Sequence, residues 1–258
     1  MVLDHVTAVR YVVPLREGGS MPGVVEAEDL GTYVVKFRGA GQGLKVLVAE
    51  VIVGELARRL GLPVPRMVTL TLPEAIARYE ADEEVQDLLN ASPGSNLGID
   101  LLPGSLGYDG SRPPARDLAA RVVWLDAYTA NVDRTWSNPN LLTWHRETWL
   151  IDHGAALYFH HGWPRKTPDP DRFAQQPFRA EDHVLGSLAD HGDLRAVHEE
   201  MVARIDGALL DEVLALVPDE WLETTETLAD AQAVRTAYRE HLLARLANPQ
   251  AWLPGGAA

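Results

Sequence analysis

Short apolar runs with alternating polar positions characterise the first hundred residues. Residues 8–15, 24–28 and 32–38 are rich in β-branched and aromatic side chains and are separated by turn-forming residues, a pattern typical of β-strands. Residues 64–72 and 97–103 continue the same pattern. We therefore predict five strands in this part of the chain.

Helical periodicity appears once among these strands and dominates the second half. In residues 44–62 the apolar positions fall on one helical stripe, and Gly61 is suited to ending that helix. The acidic segment 73–89 is also predicted to be helical. Further helices are predicted at residues 114–130, 181–189, 193–203, 206–216 and 226–246, with a hairpin of strands at 140–144 and 148–152. This pattern predicts an α+β fold, with a mainly β N-lobe (1–103), a hinge at Pro103–Gly104 and a mainly α C-lobe (104–258).

Composition excludes several classes of protein. The formal net charge of −14, with scattered basic residues, argues against general nucleic-acid binding, which needs clustered Lys and Arg. The absence of cysteine excludes disulfides and thiolate zinc sites. No apolar run approaches the roughly 20 residues that span a bilayer, and the N-terminus does not have the pattern of a secretory signal. We expect a soluble cytoplasmic protein with no membrane partner.

The polar segment 131–140 and the end of the hairpin that follows it hold the candidate chemistry. Asp133 and Asn138 lie in the segment, and Asp152 follows the second strand. Antiparallel pairing of the hairpin would bring Asn138 and Asp152 together. Any one of these residues alone is more commonly a turn cap. Two carboxylates and a carboxamide that converge can instead orient a hydroxyl nucleophile and hold a divalent metal against a polyphosphate.

Two charged residues interrupt apolar runs in the first half. Lys36 lies within a VVKF strand, where it is either a solvated edge lysine or a lysine directed at nucleotide phosphates. Glu50 lies in the apolar first half of the predicted helix, and a charge there is costly unless it is paired. A helix packed beside the strands would set Glu50 against Lys36, so each residue would account for the other.

Four segments together resemble motifs of a known family. TYVVKFRG, AEVIVGELARRLGLPVP, NVDRTWSN and LIDHG are similar, in the same order, to motifs of the HipA-like kinase family, whose fold is similar to those of protein kinases and phosphoinositide kinases. The matches cover about residues 15–160, and the resemblance implies a bilobal protein kinase-like fold. Position 153 departs from the pattern, with His where many kinases have Phe, and the loop at residues 18–23 is not the protein-kinase G-x-G-x-x-G. The first predicted strand starts close to Met1, so we expect a short form without the N-terminal subdomain of the full-length toxin members.

The resemblance also implies roles for individual residues. Lys36 would contact the phosphates of ATP and Glu50 would hold Lys36. Asp133 would accept or orient the proton of the substrate hydroxyl, while Asn138 and Asp152 would ligate Mg²⁺, which prefers hard oxygen donors. Arg134 would be a structural partner of a nearby carboxylate. The phosphates would be covered by Gly18, Gly19 and Ser20, and adenine would be held by the backbone of Asp100, Leu101 and Leu102.

These features predict an ATP- and Mg²⁺-dependent kinase that transfers the γ-phosphate to a hydroxyl, most simply that of Ser or Thr in a protein. One alternative is a pseudokinase or regulatory module that binds nucleotide without phosphate transfer. Another is a small-molecule kinase of the aminoglycoside type. Those kinases usually have His two residues before the catalytic Asp, where this chain has Asn131.

Overall fold

Five strands in the first part of the chain close into a barrel. They are β1 (Asp4–Pro14), β2 (Gly23–Ala27), β3 (Thr32–Lys36), β4 (Met67–Leu72) and β5 (Gly94–Asp100), in the order β1-β2-β3-β5-β4. Neighbouring strands are antiparallel except for the parallel pair β1 and β4. The computed structural model describes residues 2–16 and 21–255, and within them all five predicted strands are confirmed. The barrel interior is apolar, with fully buried side chains that include Val25, Tyr33, Val35, Val68 and Leu70.

The acidic segment after β4 is helical, as predicted, but it is divided into two separate elements. It forms a 3₁₀ turn at Glu74–Tyr79, followed by helix α2 (Glu83–Asn90). The carboxylate of Asp82 accepts hydrogen bonds from the backbone N–H groups of Glu84 and Val85, so a new helix begins there. Helix α2 then buries its apolar side against the barrel core.

Helix α1 (Leu44–Arg59) ends as the sequence predicted. Gly61 has φ +86°, and the N–H of Leu62 reaches back to the carbonyl of Ala57 at 2.9 Å. This is the left-handed glycine cap that only a residue without Cβ adopts at little cost. The chain then runs beside a strand of the second half, where the N–H of Leu150 donates to the carbonyl of Pro63 at 2.8 Å. The LGLPVP motif is therefore a cap followed by an extended segment.

The second half is mainly helical. Its helices are α3 (Arg116–Thr129), α4 (Pro170–Ala174), α5 (His191–Val202), α6 (Gly207–Leu214), α7 (Ala231–Leu246) and α8 (Pro249–Trp252). A small sheet joins β6 (Leu106–Gly107), β7 (Leu141–Trp144) and β8 (Glu147–Leu150), which confirms the predicted hairpin. Helix α3 is central, because most of its residues are buried.

The helix predicted at 181–189 was wrong. The segment forms two 3₁₀ turns, Ala180–Asp182 and Gly186–Leu188. Between them His183 forms an isolated β-bridge with Thr135, and the N–H of Val184 donates to the carbonyl of Arg134 at 3.0 Å. Backbone groups that a helix would pair internally are used here to hold another loop.

The chain divides into two compact units. The first comprises Met1–Leu47 and Pro65–Pro103, and the second comprises Val48–Val64 and Gly104–Ala258. Helix α1 begins in the first unit and ends in the second. That residues 1–103 and 104–258 behave as separate domains stays a prediction. Within the described ranges, none of the helices is both long and apolar enough to cross a membrane.

Candidate active site

The segment 131–140 is fixed by backbone hydrogen bonds at both ends. Helix α3 stops at Ala130, which has φ +54°, and the N–H groups of Ala130 and Asn131 both donate to the carbonyl of Asp126. At the other end the N–H of Ile151 donates to the carbonyl of Asn140 at 3.1 Å, which extends the β7–β8 pairing by one residue pair. The loop therefore has a defined start and a defined finish.

A buried carboxylate, that of Asp126 on α3, organises this loop. One oxygen accepts a hydrogen bond from Asn131 Nδ2 at 3.1 Å, and the other accepts from Arg134 Nε at 2.6 Å and His183 Nε2 at 2.9 Å. Burial alone would raise the pKa of the Asp126 carboxyl. The Arg134 charge and the hydrogen bond from His183 outweigh burial and lower that pKa to about 2.

Arg134 carries the same network from α3 to the hairpin. Its Nη1 donates to the carbonyl of Asn140 and, at 3.2 Å, to that of Ile151, while Nη2 contacts His153 Nδ1 at 3.4 Å. The prediction that Arg134 is a structural partner of a nearby carboxylate is confirmed by its ion pair with Asp126. His153, which departs from the kinase pattern, is buried and faces this guanidinium.

His183 is the member of the network that sequence reasoning missed. Its Nδ1 accepts a hydrogen bond from the N–H of Leu185 at 3.0 Å, so in the neutral ring Nε2 carries the proton and donates it to Asp126. No motif surrounds His183, and it lies 57 positions after Asp126. The sequence offers no spacing signal that would connect the two residues.

The carboxylate of Asp133 is oriented by two carboxamides. Its Oδ2 accepts from Asn138 Nδ2 at 2.8 Å and from Asn140 Nδ2 at 3.4 Å, and the backbone N–H of Asp133 donates to Asn131 Oδ1 at 3.3 Å. Among the described residues, no protein group donates to Asp133 Oδ1. One carboxylate oxygen is thus held in place while the other is available to a hydroxyl. Asn140, a further residue that the sequence analysis did not single out, is buried at this point.

The side-chain oxygens of Asn138 and Asp152 are suited to a hard cation. Because a carboxylate only accepts, Asn138 must turn its NH₂ group toward Asp133, which directs its Oδ1 away from that carboxylate. Asp152 lies two residues after β8 and has φ +56°, a left-handed conformation that is uncommon outside glycine and often marks functional positions. The hairpin register, with Leu141 opposite Leu150, places the segments that contain Asn138 and Asp152 side by side.

The residues present fit Mg²⁺ if the ion is shared with substrate phosphates and water. No group of three or more His, Cys, Asp or Glu side chains that could hold a metal occurs in residues 2–16 and 21–255. Mg²⁺ commonly uses one or two protein oxygens together with substrate phosphates and water. One carboxylate and one carboxamide oxygen meet that requirement.

The residues predicted to contact nucleotide lie on defined elements. Lys36 ends β3 opposite Leu97 of β5 and is 7% exposed, while its neighbours Val35 and Phe37 point into the barrel core. Glu50 lies on α1 and is 1% exposed. Lys36 belongs to the first unit, and Glu50 belongs to the second together with Asp133, Asn138 and Asp152. Gly18, Gly19 and Ser20 lie outside the described residues.

The three predicted adenine-binding residues differ in what their backbone offers. The N–H of Asp100 donates to the carbonyl of Arg66 at 2.9 Å, and that of Leu101 donates to the carbonyl of Thr32 at 3.0 Å. The side chain of Asp100 is engaged by the Arg66 guanidinium. Within the described part of the chain, no group accepts from the N–H of Leu102, so this is the donor of the three that is available to a ligand.

The family model for HipA-like kinases matches residues 9–254, nearly the whole chain. This chain belongs to the HipA-like kinase family. Among solved structures, this HipA-like kinase is similar to the proinflammatory kinase CtkA of Helicobacter pylori, with a TM-score of 0.55 and 12% identity, over 96% of this chain and 95% of that one. At that identity the likeness shows the kinase-like α+β fold.

Weaker likeness is found to the Golgi casein kinase, with a TM-score of 0.43 and 13% identity, over 95% of this chain and 72% of that one. A second structure of that protein, with Mn and ADP bound, gives a TM-score of 0.42 at 12% identity, over 95% and 73% of the two chains. A comparison with curated proteins gave no significant match.

Proposed function

We propose that this HipA-like kinase transfers the γ-phosphate of ATP, in the presence of Mg²⁺, to the hydroxyl of Ser or Thr in a protein. The observation that carries the proposal is the hydrogen bonding of the Asp133 carboxylate. Its Oδ2 is fixed by two carboxamides, its Oδ1 accepts from none of the described protein groups, and its loop is anchored through the buried Asp126–Arg134 ion pair. Membership of the kinase family supplies the reaction class.

In the proposed reaction Asp133 Oδ1 accepts and orients the proton of the acceptor hydroxyl. The hydroxyl oxygen forms a bond to the γ-phosphorus as the bond from that phosphorus to the β–γ bridging oxygen breaks. The proton passes to Asp133 and ADP leaves. Asn138 Oδ1 and the Asp152 carboxylate would hold Mg²⁺, which when bound offsets the negative charge of the phosphates.

Other residues would bind the nucleotide. Lys36 would contact the phosphates and Glu50 would hold Lys36, as the family motifs imply. The N–H of Leu102 would donate to the adenine edge. Gly18, Gly19 and Ser20 would cover the phosphates. Since its nucleotide substrate is found in the cytoplasm, we also expect the protein to act there.

Two measurements test the proposal and separate it from the pseudokinase alternative. The first is the melting temperature with ATP, with and without Mg²⁺, since a ligand that binds the folded state raises it. The second is mass spectrometry for phosphate on Ser or Thr, in the chain itself or in a peptide library. We expect ATP with Mg²⁺ to stabilise the protein and phosphate to appear. Stabilisation without any transfer would establish a nucleotide-binding module instead.

A further inference from the structure

Two large apolar side chains beside Asp133 are exposed to solvent. Val132 immediately precedes Asp133 and is 65% exposed, and Trp136 follows it by three residues and is 60% exposed. Their neighbours Asn131 and Arg134 are buried. An apolar surface of this kind next to a candidate catalytic group indicates a binding surface.

Trp136 is held against a fixed support. Its ring centroid lies 6.3 Å from that of Tyr108, and a Cβ on Gly110 would come within 3.0 Å of the indole. Tyr108 is itself buried, and its N–H donates to the carbonyl of Leu141 on β7 at 3.0 Å. The indole is therefore supported by Tyr108 and Gly110 and presents the rest of its surface to solvent.

The turn that carries Trp136 is also closed by hydrogen bonds. The N–H of Thr135 donates to the carbonyl of Asn138 at 3.1 Å, and the N–H of Asn138 donates to the carbonyl of Thr135 at 3.2 Å. The hydroxyls of Thr135 and Ser137 are 2.9 Å apart. A rigid, exposed aromatic residue loses little conformational entropy when it binds a partner. Leu106, on the strand that leads to Tyr108, is also exposed, at 71%.

We infer that Trp136 and Val132 bind the residues that flank the phosphoacceptor in a protein substrate, and that they select an aliphatic or aromatic side chain close to the Ser or Thr. The inference rests on the proposed role of Asp133. An acceptor hydroxyl must come within about 3 Å of that carboxylate, so the body of the substrate has to cover the residues on either side of it. Val132, Trp136 and Leu106 provide apolar surface rather than the fixed hydrogen-bonding groups that an amino sugar would require.

Binding of labelled peptides tests this selection independently of catalysis. Two fluorescein-labelled peptides would be compared by anisotropy with the intact protein and ADP–Mg²⁺, one with Leu and Phe around a central Ser and one with Gly and Asp. We expect the apolar peptide to bind more tightly. Because central aromatic residues carry much of the binding energy of an interface, Trp136→Ala should weaken binding of the apolar peptide by about 10- to 100-fold. Trp136→Phe, which keeps an aromatic ring, should retain part of that affinity.

Leu30→Ala is the matched control, since Leu30 is 96% exposed in the β2–β3 turn of the first unit. It should leave peptide binding unchanged. Equal binding of both peptides, or full affinity in Trp136→Ala, would overturn the inference. Faster phosphorylation of an aminoglycoside than of the apolar peptide would overturn it as well. The proposed function is tested separately by phosphate transfer. It would be contradicted if the peptides bind but no hydroxyl substrate receives phosphate.

Discussion

At the scale of single residues, Asn138 has two proposed tasks that use opposite ends of its carboxamide. Its NH₂ group orients Asp133, and its oxygen is available for Mg²⁺. Both tasks concern the reaction rather than the fold, because the side chain is exposed. Its replacement therefore separates catalysis from stability.

We expect Asn138→Ala to lower kcat by about 10- to 100-fold, because it removes both a donor that orients the Asp133 carboxylate and a proposed Mg²⁺ ligand. The free energy of unfolding should change by no more than about 0.5 kcal/mol, as for most exposed positions. Steady-state kinetics over a range of Mg²⁺ concentrations and chemical denaturation measure the two effects. Ser137→Ala, next to it and also exposed, is the control. Equal kcat values for the two variants would contradict the assignment.

Asp152→Asn tests the second proposed metal ligand. Asn tolerates the left-handed backbone of this position at least as well as Asp, so the change removes the charge without adding strain. We expect the stabilisation by ATP that depends on Mg²⁺ to disappear, while the melting temperature without ligand stays close to that of the wild type. Thermal unfolding with ATP at several Mg²⁺ concentrations is the measurement. A Mg²⁺ response equal to that of the wild type would remove Asp152 from the site.

At the scale of elements, the loop with Asp133 is held by three other segments of the chain, two adjacent in the sequence and one about 50 positions later. Helix α3 supplies Asp126, the end of the β8 hairpin receives Arg134, and the irregular segment 183–185 supplies His183 and a backbone contact. His183 touches none of the proposed reacting atoms. We propose that His183 positions Asp133 indirectly, because its partner Asp126 also accepts from Asn131, whose Oδ1 accepts from the N–H of Asp133.

Two substitutions of His183 separate its two hydrogen bonds. His183→Gln places an NH₂ group near the position of Nε2 and can still donate to Asp126, whereas His183→Asn places an oxygen near Nδ1 and can still accept from Leu185. We expect kcat of His183→Asn to be about tenfold below that of His183→Gln, because His183→Asn loses the donor to Asp126. The KM for ATP should change little in either variant. The measurement is kcat and KM for ATP of both variants, each normalised to the fraction of protein that is folded. A larger loss of kcat in His183→Gln than in His183→Asn would show that the hydrogen bond to Leu185 matters more than the donor to Asp126.

The elements also show how far local pattern carries a prediction. Alternation and turn residues located the five strands and the hairpin, and Gly61 marked the end of α1, because these features depend on nearby residues. The helix predicted at 181–189 was wrong because its backbone pairs with a loop about 50 positions earlier. Asp133, Asn138 and Asp152 were predicted as site residues from their spacing around the hairpin and from the family motifs, and their roles stay predictions. Asn140 and His183 have no such spacing, and only the folded chain places them beside Asp133 and Asp126.

At the scale of the whole molecule, the buried pair of Asp126 and Arg134 links stability to pH. The pKa of Asp126 in the folded protein is about 2, below the value of about 4 expected for an unfolded chain. A lowered pKa means that the ionised carboxylate favours the folded state. This contribution is complete above about pH 4 and is lost as the pH falls toward 2.

Asp126→Asn tests this linkage. The variant leaves the buried Arg134 without its counter-charge, so we expect a loss of about 3–5 kcal/mol near neutral pH. The difference from the wild type should narrow as the pH falls from about 4 toward 2, because the Asp126 carboxyl of the unfolded wild-type chain takes up a proton first and the ionised carboxylate then favours the folded state less. Denaturant unfolding at a series of pH values measures both effects. A difference that stays constant between pH 3 and pH 7 would contradict the assigned pKa.

The most direct test of the whole account is phosphate transfer by the wild type and by Asp133→Asn. Both proteins would be incubated with ATP, Mg²⁺ and a Ser/Thr peptide library, and phosphorylated residues would be counted by mass spectrometry. We predict transfer to Ser or Thr by the wild type and a rate about 10²- to 10⁴-fold lower in the variant, which should still bind ATP. A wild type that binds ATP and transfers nothing, or a variant that transfers phosphate at the wild-type rate, would contradict the assignment of Asp133 as the catalytic residue of this HipA-like kinase.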